Sequence, residues 1–486
     1  MTPNLRENTY NFALSCHFNV FRHGVLTPQA SYTTFTDGSE KVVRFLYARA
    51  LSGATVVYRV YGLGATAAGL PQIFIAQISE TAWTSLATGT TGARAANVFF
   101  EYKDCLYFWQ NGTVLSQIKE LNIDETPTLT QSFQAISYTN VAQPVHHKAD
   151  DYAYFFSDNN VHRFTGASAT TVWSSNVLVL PTNMKIVGAA AYGNYLAIVC
   201  SPLELGATNS VMYLWDRDSS LATLTAKVDL GMGEVIHVSE AEDGGIWITQ
   251  QARRTVGIVS RNNYVSIKYY NGYFKTLEIP VKNSQDYFSS IKLTGNGFEE
   301  RGVFYFPAEV VTNGAAETRN VIFAARLNNN KIELVGDQEI TGVTAGQEIN
   351  GIYSIGGVWY VSYNTAAQTL VQKITSTYGT GTYESKIFND GDAGQTKKLL
   401  GVTVMFSPLP ATATVVLKYR RDAETAWTTI FTYTSTGSIR HSAINLEADG
   451  SSLGQYKECQ FLIQSTVGAE IIGFKYRSEF IADDIY

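Results

Sequence analysis

Apolar residues along this chain come in short runs, broken by Gly, Asn, Asp and Ser, and windows with a 3.6-residue apolar period are scarce. Short apolar or alternating runs bounded by turn residues predict strands, so the expected class is all-β. One arrangement recurs: a polar or glycine turn leads straight into a strongly apolar run. It follows Ala54 (Thr-Val-Val-Tyr-Arg-Val), Asp104 (Cys-Leu-Tyr-Phe-Trp), Asp151 (Tyr-Ala-Tyr-Phe-Phe), Asn194 (Tyr-Leu-Ala-Ile-Val), Gly245 (Ile-Trp-Ile-Thr), Gly302 (Val-Phe-Tyr-Phe) and Gly357 (Val-Trp-Tyr-Val). Successive starts are 50, 47, 43, 51, 57 and 55 residues apart, close to the ~40–50 of β-propeller repeats.

The fourth unit shows the frame. Lys185–Ala191 reads as a first strand, Tyr195–Cys200 as a second, Val211–Trp215 as a third and Leu221–Val228 as a fourth, with turns at Tyr192-Gly193-Asn194 and Asp216-Arg217-Asp218. Four antiparallel strands joined by tight turns make one propeller blade. The inner strands are almost wholly apolar because neighbouring blades cover both their faces. The expectation is a β-propeller over 41–388 of about seven blades, six being the alternative. The unit at Lys41–Ala87 is the least marked, because it lacks the clear Gly, Asp or Asn turn. Residues 1–40 read as an extended N-terminal arm that either latches the ring or meets a neighbour.

The rhythm changes after Thr375–Thr382 (Thr-Ser-Thr-Tyr-Gly-Thr-Gly-Thr), which reads as a linker. Beyond it, Lys398–Phe406, Thr414–Tyr419, Trp427–Tyr433, Ile439–Leu446, Glu458–Thr466 and Glu470–Arg477 read as strands. Val402, Val404 and Phe406 fall on one face, as do Val415, Leu417 and Tyr419. Residues 389–486 are therefore expected to form a C-terminal β-sandwich, jelly-roll-like.

Composition narrows the function. The hydrophobic share of 45% supplies a core, and only 16% of the residues are charged, against roughly 25% in an average globular chain. A net charge of −6 argues against a general nucleic-acid-binding surface, which needs clustered Lys and Arg. A weakly repelling wall still suits a channel through which DNA slides. Cys16, Cys105, Cys200 and Cys459 are far apart, without zinc-type spacing, and read as buried thiols in a reducing compartment. No signal peptide and no run of ~18 apolar residues stands out, so synthesis in a cytoplasm and no membrane-spanning segment are expected.

Catalytic and ligand motifs are sparse. His146 and His147 are adjacent, and neighbours on a strand point to opposite faces, so one metal between them is disfavoured. Gly62-Leu63-Gly64 with Gly69 departs from the phosphate-loop spacing and reads as a hairpin turn. Asp243-Gly244-Gly245-Ile246-Trp247 approaches the Asp-box of sialidase-type propellers, S-x-D-x-G-x-x-W. Its Trp comes one residue early, and no Ser or Thr stands two before Asp243. Asn389-Asp390-Gly391-Asp392-Ala393-Gly394 is mildly calcium-like, but the twelfth position from Asp390 holds Gly401 where a bidentate Glu is needed. Glu240, Glu242, Glu299, Glu300 and Asp150 are candidate partners for paired-carboxylate glycoside hydrolysis. Tyr269, Tyr270, Tyr273 and Phe274 form the densest aromatic cluster and a candidate sugar-stacking face. No catalytic, cofactor-binding or metal residue and no cofactor is assigned.

The arm Phe21-Arg22-His23-Gly24-Val25-Leu26-Thr27-Pro28, the segments Gly401–Phe406, Val415–Arg420 and Gly468–Phe474, and the propeller-then-sandwich order without a catalytic signature resemble the β-propeller tail nozzle or tail accessory proteins of short-tailed double-stranded DNA phages. The resemblance is one of pattern over most of the chain. It implies a structural virion protein, not an enzyme: a homo-oligomer, typically a hexameric ring, around the DNA channel of the tail. Its partners would be other tail proteins (adaptor, fibres or spike), and genomic DNA would pass through without sequence-specific binding. The alternatives are a receptor- or carbohydrate-binding tail protein and a glycan-cleaving propeller enzyme.

Overall fold

The computed structural model describes residues 14–16, 18–19, 27–28, 30–35, 41–52, 55–65, 71–77, 82, 84–88, 95–103, 105–110, 114–119, 128–167, 170–204, 209–218, 226–256, 259–279, 288–312, 318–340, 348–355, 358–364, 369–378, 380–385, 387–389, 394–422, 424, 426–444 and 454–481. Among them every regular element is a strand, and almost all pairing is antiparallel.

The pairs build a series of small sheets. The first holds Lys41–Ser52, Thr55–Ala65, Pro71–Gln77 and Thr84–Thr88. The second holds Ala95–Tyr102, Cys105–Gln110, Val114–Lys119 and Thr128–Ala135. The third holds Val141–His147, Tyr152–Ser157, Asn160–Ala167 and Thr170–Val179. The fourth holds Met184–Tyr192, Tyr195–Pro202, Ser210–Trp215 and Ala226–Gly231. The fifth holds Gly233–Glu240, Ile246–Val256, Val259–Tyr270 and Phe274–Ile279. The sixth holds Phe288–Leu293, Val303–Thr312, Thr318–Asn328 and Lys331–Glu339, with Phe298–Glu300 also on Val303–Thr312. The seventh takes Ile349–Ile355, Val358–Asn364 and Thr369–Tyr378, and its fourth strand is Ala30–Phe35 from the start of the chain, with Thr33 opposite Lys373.

All seven apolar runs marked by the sequence repeat are second strands of these sheets. Their burial explains their composition: Ala153–Phe156 and Leu196–Cys200 are fully enclosed, because each packs against the sheets on either side. In every sheet the pairing of first with second strand carries a register shift. Such bulges add local twist. First strands lie against first strands from the first sheet through to the fifth. The fifth meets the sixth through Phe298–Glu300 and Phe288–Leu293, the sixth meets the seventh through Ile349–Ile355, and that strand returns to Lys41–Ser52. The order of sheets is closed.

Beyond the seventh sheet, Gly381–Glu384, Cys459–Ser465, Val415–Arg421 and Thr428–Tyr433 pair in that order. Lys397–Phe406 pairs separately with Arg440–Ile444, Gln455–Tyr456 and Ile471–Phe480. Val402, Val404 and Phe406 from one sheet meet Val415, Leu417 and Phe461 from the other in a buried core. Ala324 and Val335 of the sixth sheet belong to the same core. Leu14–Cys16 lies between Lys331–Glu339, where Leu14 pairs in parallel with Gly336, and Gly381–Glu384. This three-residue insertion makes one ten-stranded sheet out of the sixth sheet and the C-terminal strands. Arg319 staples the seam, with Nη2 and Nε on Glu339 (2.6 and 3.0 Å) and Nη1 on Glu384 at 2.6 Å. A guanidinium fork held by two carboxylates fixes orientation as well as distance.

Several expectations need correction. Thr375–Thr382 is no linker: it spans the end of Thr369–Tyr378 and the start of Gly381–Glu384, since Thr and Tyr suit a pleated surface. The C-terminal pairing accordingly begins at Gly381, before the boundary expected at 388. Of the fourth strand expected at Leu221–Val228, residues 226–228 belong to Ala226–Gly231, and residues 221–225 lie outside the described residues. Gly62-Leu63-Gly64 lies inside Thr55–Ala65, not in a turn, and is paired on both sides. A bulge between Val42 and Arg44 faces it, a setting in which strand glycines are common.

Candidate functional site

In a four-stranded antiparallel meander the first and third turns emerge on one rim and the second turn on the other. The carboxylates singled out in the sequence lie at the ends of first strands or in the turns that follow them, so the fold gathers them on the first rim. There, Glu240 aside, they join the third sheet to the fourth, the fifth to the sixth and the sixth to the seventh.

Lys103 in the turn of the second sheet bonds Asp151 of the third at 2.8 Å. His146 reaches the same carboxylate at 3.0 Å. The hydrogen bonds from Lys103 and then His146 hold the Asp151 carboxyl below its ordinary range. Asp150 next to it accepts Arg217 Nη1 at 2.6 Å, from the third turn of the fourth sheet, and the Tyr154 hydroxyl at 2.7 Å. Arg217 Nη1 also lies 3.1 Å from His147 Nδ1, while His147 Nε2 lies 3.2 Å from the Tyr195 carbonyl oxygen. The carbonyl requires an N–H at Nε2, so Nδ1 accepts from Arg217 and the ring is neutral. Burial first, and then the Arg217 charge, keeps His147 below the usual histidine value. The two histidines thus serve different contacts, and among the described residues no cluster of His, Cys, Asp and Glu fit for a metal ion is present.

The fifth and sixth sheets are clasped differently. Glu242 accepts the backbone N–H groups of Arg301 (2.7 Å) and Gly302 (3.1 Å). Glu299 accepts the Glu242 N–H at 3.1 Å in return. Asp243 accepts the Gly245 N–H at 3.0 Å and the Tyr269 hydroxyl. Gly244 adopts φ +81°, and a Cβ on Gly245 would collide with the Tyr269 hydroxyl, so the Gly-Gly pair is required by the turn and by the close approach of the ring. The Asp-box likeness is therefore a capped hairpin turn. Burial first, and then the Asp243 and Glu242 charges, raises the Glu299 carboxyl to about 7. The Trp247 indole N–H is buried and directed towards Glu299 without a well-formed bond. Glu300 accepts Trp359 Nε1 at 2.8 Å and Ser354 Oγ at 3.0 Å from the seventh sheet. Glu240 stands apart on Gly233–Glu240, raised by burial against the Lys148 charge.

The aromatic cluster does not form a stacking platform. Tyr269 and Tyr270 are buried and Phe274 is half-buried, leaving Tyr273 exposed. Asp390–Ala393 of the calcium-like run and Phe21–Leu26 of the arm lie outside the described residues; Thr27–Pro28 pairs with Phe18–Asn19. Cys200 and Cys459 are buried, and burial pushes the Cys200 thiol up. Sequence reasoning missed Arg217, Tyr154 and Arg319. Arg217 carried a signal, because it occupies a turn recognised as one, whereas Arg319 sits mid-pattern at the start of an ordinary strand.

Where the first strands converge, Val98, Asn140, Lys185, Val187, Ile236 and Asn296 help to line a cavity of about 210 Å³. Lys185 beside it is paired with Glu234 at 2.7 Å.

No protein-family model and no curated protein matches the chain. Among solved structures, the core factor of S. cerevisiae is similar over 72% of this chain and 62% of its own, at 8% identity and a TM-score of 0.42. Sqt1 from Chaetomium thermophilum is similar over 73% and 93%, at 11% identity and 0.41. An ancestral GH74 enzyme is similar over 76% and 52%, at 10% identity and 0.34. Likeness this distant says nothing of what the chain does.

Proposed function

We propose that the closed order of seven sheets is a seven-bladed β-propeller latched by Ala30–Phe35, that the C-terminal pairs form a β-sandwich, and that the chain is a structural part of a phage tail. In that role several copies, six in the resemblance, ring the DNA channel as a nozzle or hub and carry other tail proteins. The observation that supports a structural role most is the use of the rim carboxylates. Glu242, Glu299, Glu300, Asp150 and Asp151 each hold a neighbouring sheet instead of converging on an open cleft. The continuous sheet through Leu14–Cys16 adds a stiff junction between ring and sandwich. The tail assignment itself rests on the sequence resemblance.

DNA would pass between copies and not through one. The 210 Å³ cavity holds about seven waters at ~30 Å³ each, far too little for a duplex. Rings of rigid discs with protected edges surround such a path by cyclic symmetry. Electron microscopy of the purified chain tests the reading: a symmetric ring with a central hole is expected.

A further inference from the structure

The clasp between the fifth and sixth sheets differs from the others in its charge. Glu242, Asp243 and Glu299 come together, and their hydrogen-bond donors are backbone N–H groups and the Tyr269 hydroxyl, with no cationic side chain among them. Glu242 takes two amides and is fixed as an acceptor. Asp243 is likewise fixed by Gly245 and Tyr269. Glu299 accepts one amide, from Glu242, and faces both carboxylates. The other polar groups near it are the Tyr269 hydroxyl, which donates to Asp243, and the Trp247 N–H, buried to 1% exposure and without a formed bond. On its own hairpin, Glu300 is turned to the seventh sheet, and the Arg301 residue is exposed.

Carboxylates brought together without a cation do not all ionise easily, and a shared or retained proton is the usual resolution. We propose that Glu299 is a proton-operated latch: protonated, it closes the joint between the fifth and sixth sheets, and ionised, it loosens that joint. The retained proton removes one of the three charges at the joint while Glu299 still accepts the Glu242 N–H. Loss of the proton leaves three adjacent negative charges across the joint. The direction of the Glu299 shift, to about 7, agrees. A carboxyl raised on folding gives stability that is complete below its unfolded value, near 4.3, and lost as pH rises through the folded value. The joint is therefore tightest in mild acid and loosens from neutral pH upward, without a bound ligand.

The test is Glu299→Gln, which keeps an acceptor for the Glu242 N–H and fixes the neutral form. At pH 8 the variant should unfold at a higher temperature than the wild type, with a folded-to-unfolded ratio larger on the order of tenfold or more. At pH 4 the two should coincide. Carboxyl NMR of the full chain, with Glu299 assigned by its loss in the variant, should show a titration near neutrality. Amide exchange at Glu242, corrected for intrinsic rate, should quicken over the same range. A Glu299 signal that titrates with the exposed carboxylates overturns the proposal, whatever the variant does. Equal stability of variant and wild type at pH 8 overturns it as well.

Discussion

The joint between the third and fourth sheets and the joint between the fifth and sixth occupy the same rim, the first bringing a first turn to a third turn and the second bringing together the two turns that lead into second strands. They solve the same problem with opposite charge arithmetic. In the first, Asp150 meets Arg217, a half-sequestered cation at 15% side-chain exposure, and a neutral His147 completes the contact. In the second, carboxylates meet backbone amides and each other. The first is damaged by acid and the second by base. Repetition of a fold therefore fixes where neighbouring sheets are joined, while the side chains at each junction set how that joint answers to pH.

The largest effect expected from breaking this contrast comes at Arg217. Arg217→Ala leaves Asp150, at 23% exposure, with the Tyr154 hydroxyl and the Tyr152 amide as donors and the neutral His147 ring 3.7 Å away, without the guanidinium charge. Removing one partner of a largely buried pair should cost on the order of 3–5 kcal/mol, read as a lowered denaturant midpoint. The same change at an exposed pair such as Lys292 and Glu348, at 54% and 37% exposure, would cost well under that.

Acid sharpens the comparison next. His162, 2% exposed, lies 2.8 Å from Ser157 Oγ through Nε2 and accepts the Asn176 N–H at Nδ1. Burial lowers it to about 4. Its neutral form is favoured by folding, so its contribution is whole above the unfolded value near 6.5 and is lost as pH falls towards 4. That loss is on the order of 3 kcal/mol. Glu299 works in the opposite sense over an overlapping range, so the comparison is between variants: His162→Gln should lose less stability than the wild type between pH 6.5 and 4. Equal slopes would place the acid sensitivity elsewhere.

The smallest effect concerns the second joint. Tyr269→Phe removes one of the two donors to Asp243 and leaves the Gly245 amide in place. A hydrogen bond to a charged group is worth roughly 1.5–3 kcal/mol, and the exposed carboxylate recovers part of it from water, so a loss of about 1 kcal/mol is expected in thermal unfolding.

Much of the architecture was legible before any coordinates. Each of the seven second strands begins at the residue that follows its turn signal, because a strand covered on both faces must be apolar throughout. What escaped the pattern is long-range. Nothing in Ala30–Phe35 announces a partner at Thr369–Tyr378, and nothing in Leu14–Cys16 announces a place between Lys331–Glu339 and Gly381–Glu384. Thr375–Thr382 misled because Thr and Gly serve strands and linkers alike. At the rim the acidic residues were visible as types. Their pairing across sheets was not, since Asp150 and Arg217 are distant in sequence and meet only when the third and fourth sheets pack together.

The central claim is that this chain works as one part of an assembled ring around a channel. Electron microscopy of the purified protein, alone and mixed with isolated phage tails, tests it most directly. The account predicts class averages with cyclic symmetry, sixfold in the resemblance, and a central hole wider than a DNA duplex. Single discs that associate neither with each other nor with tails would contradict it.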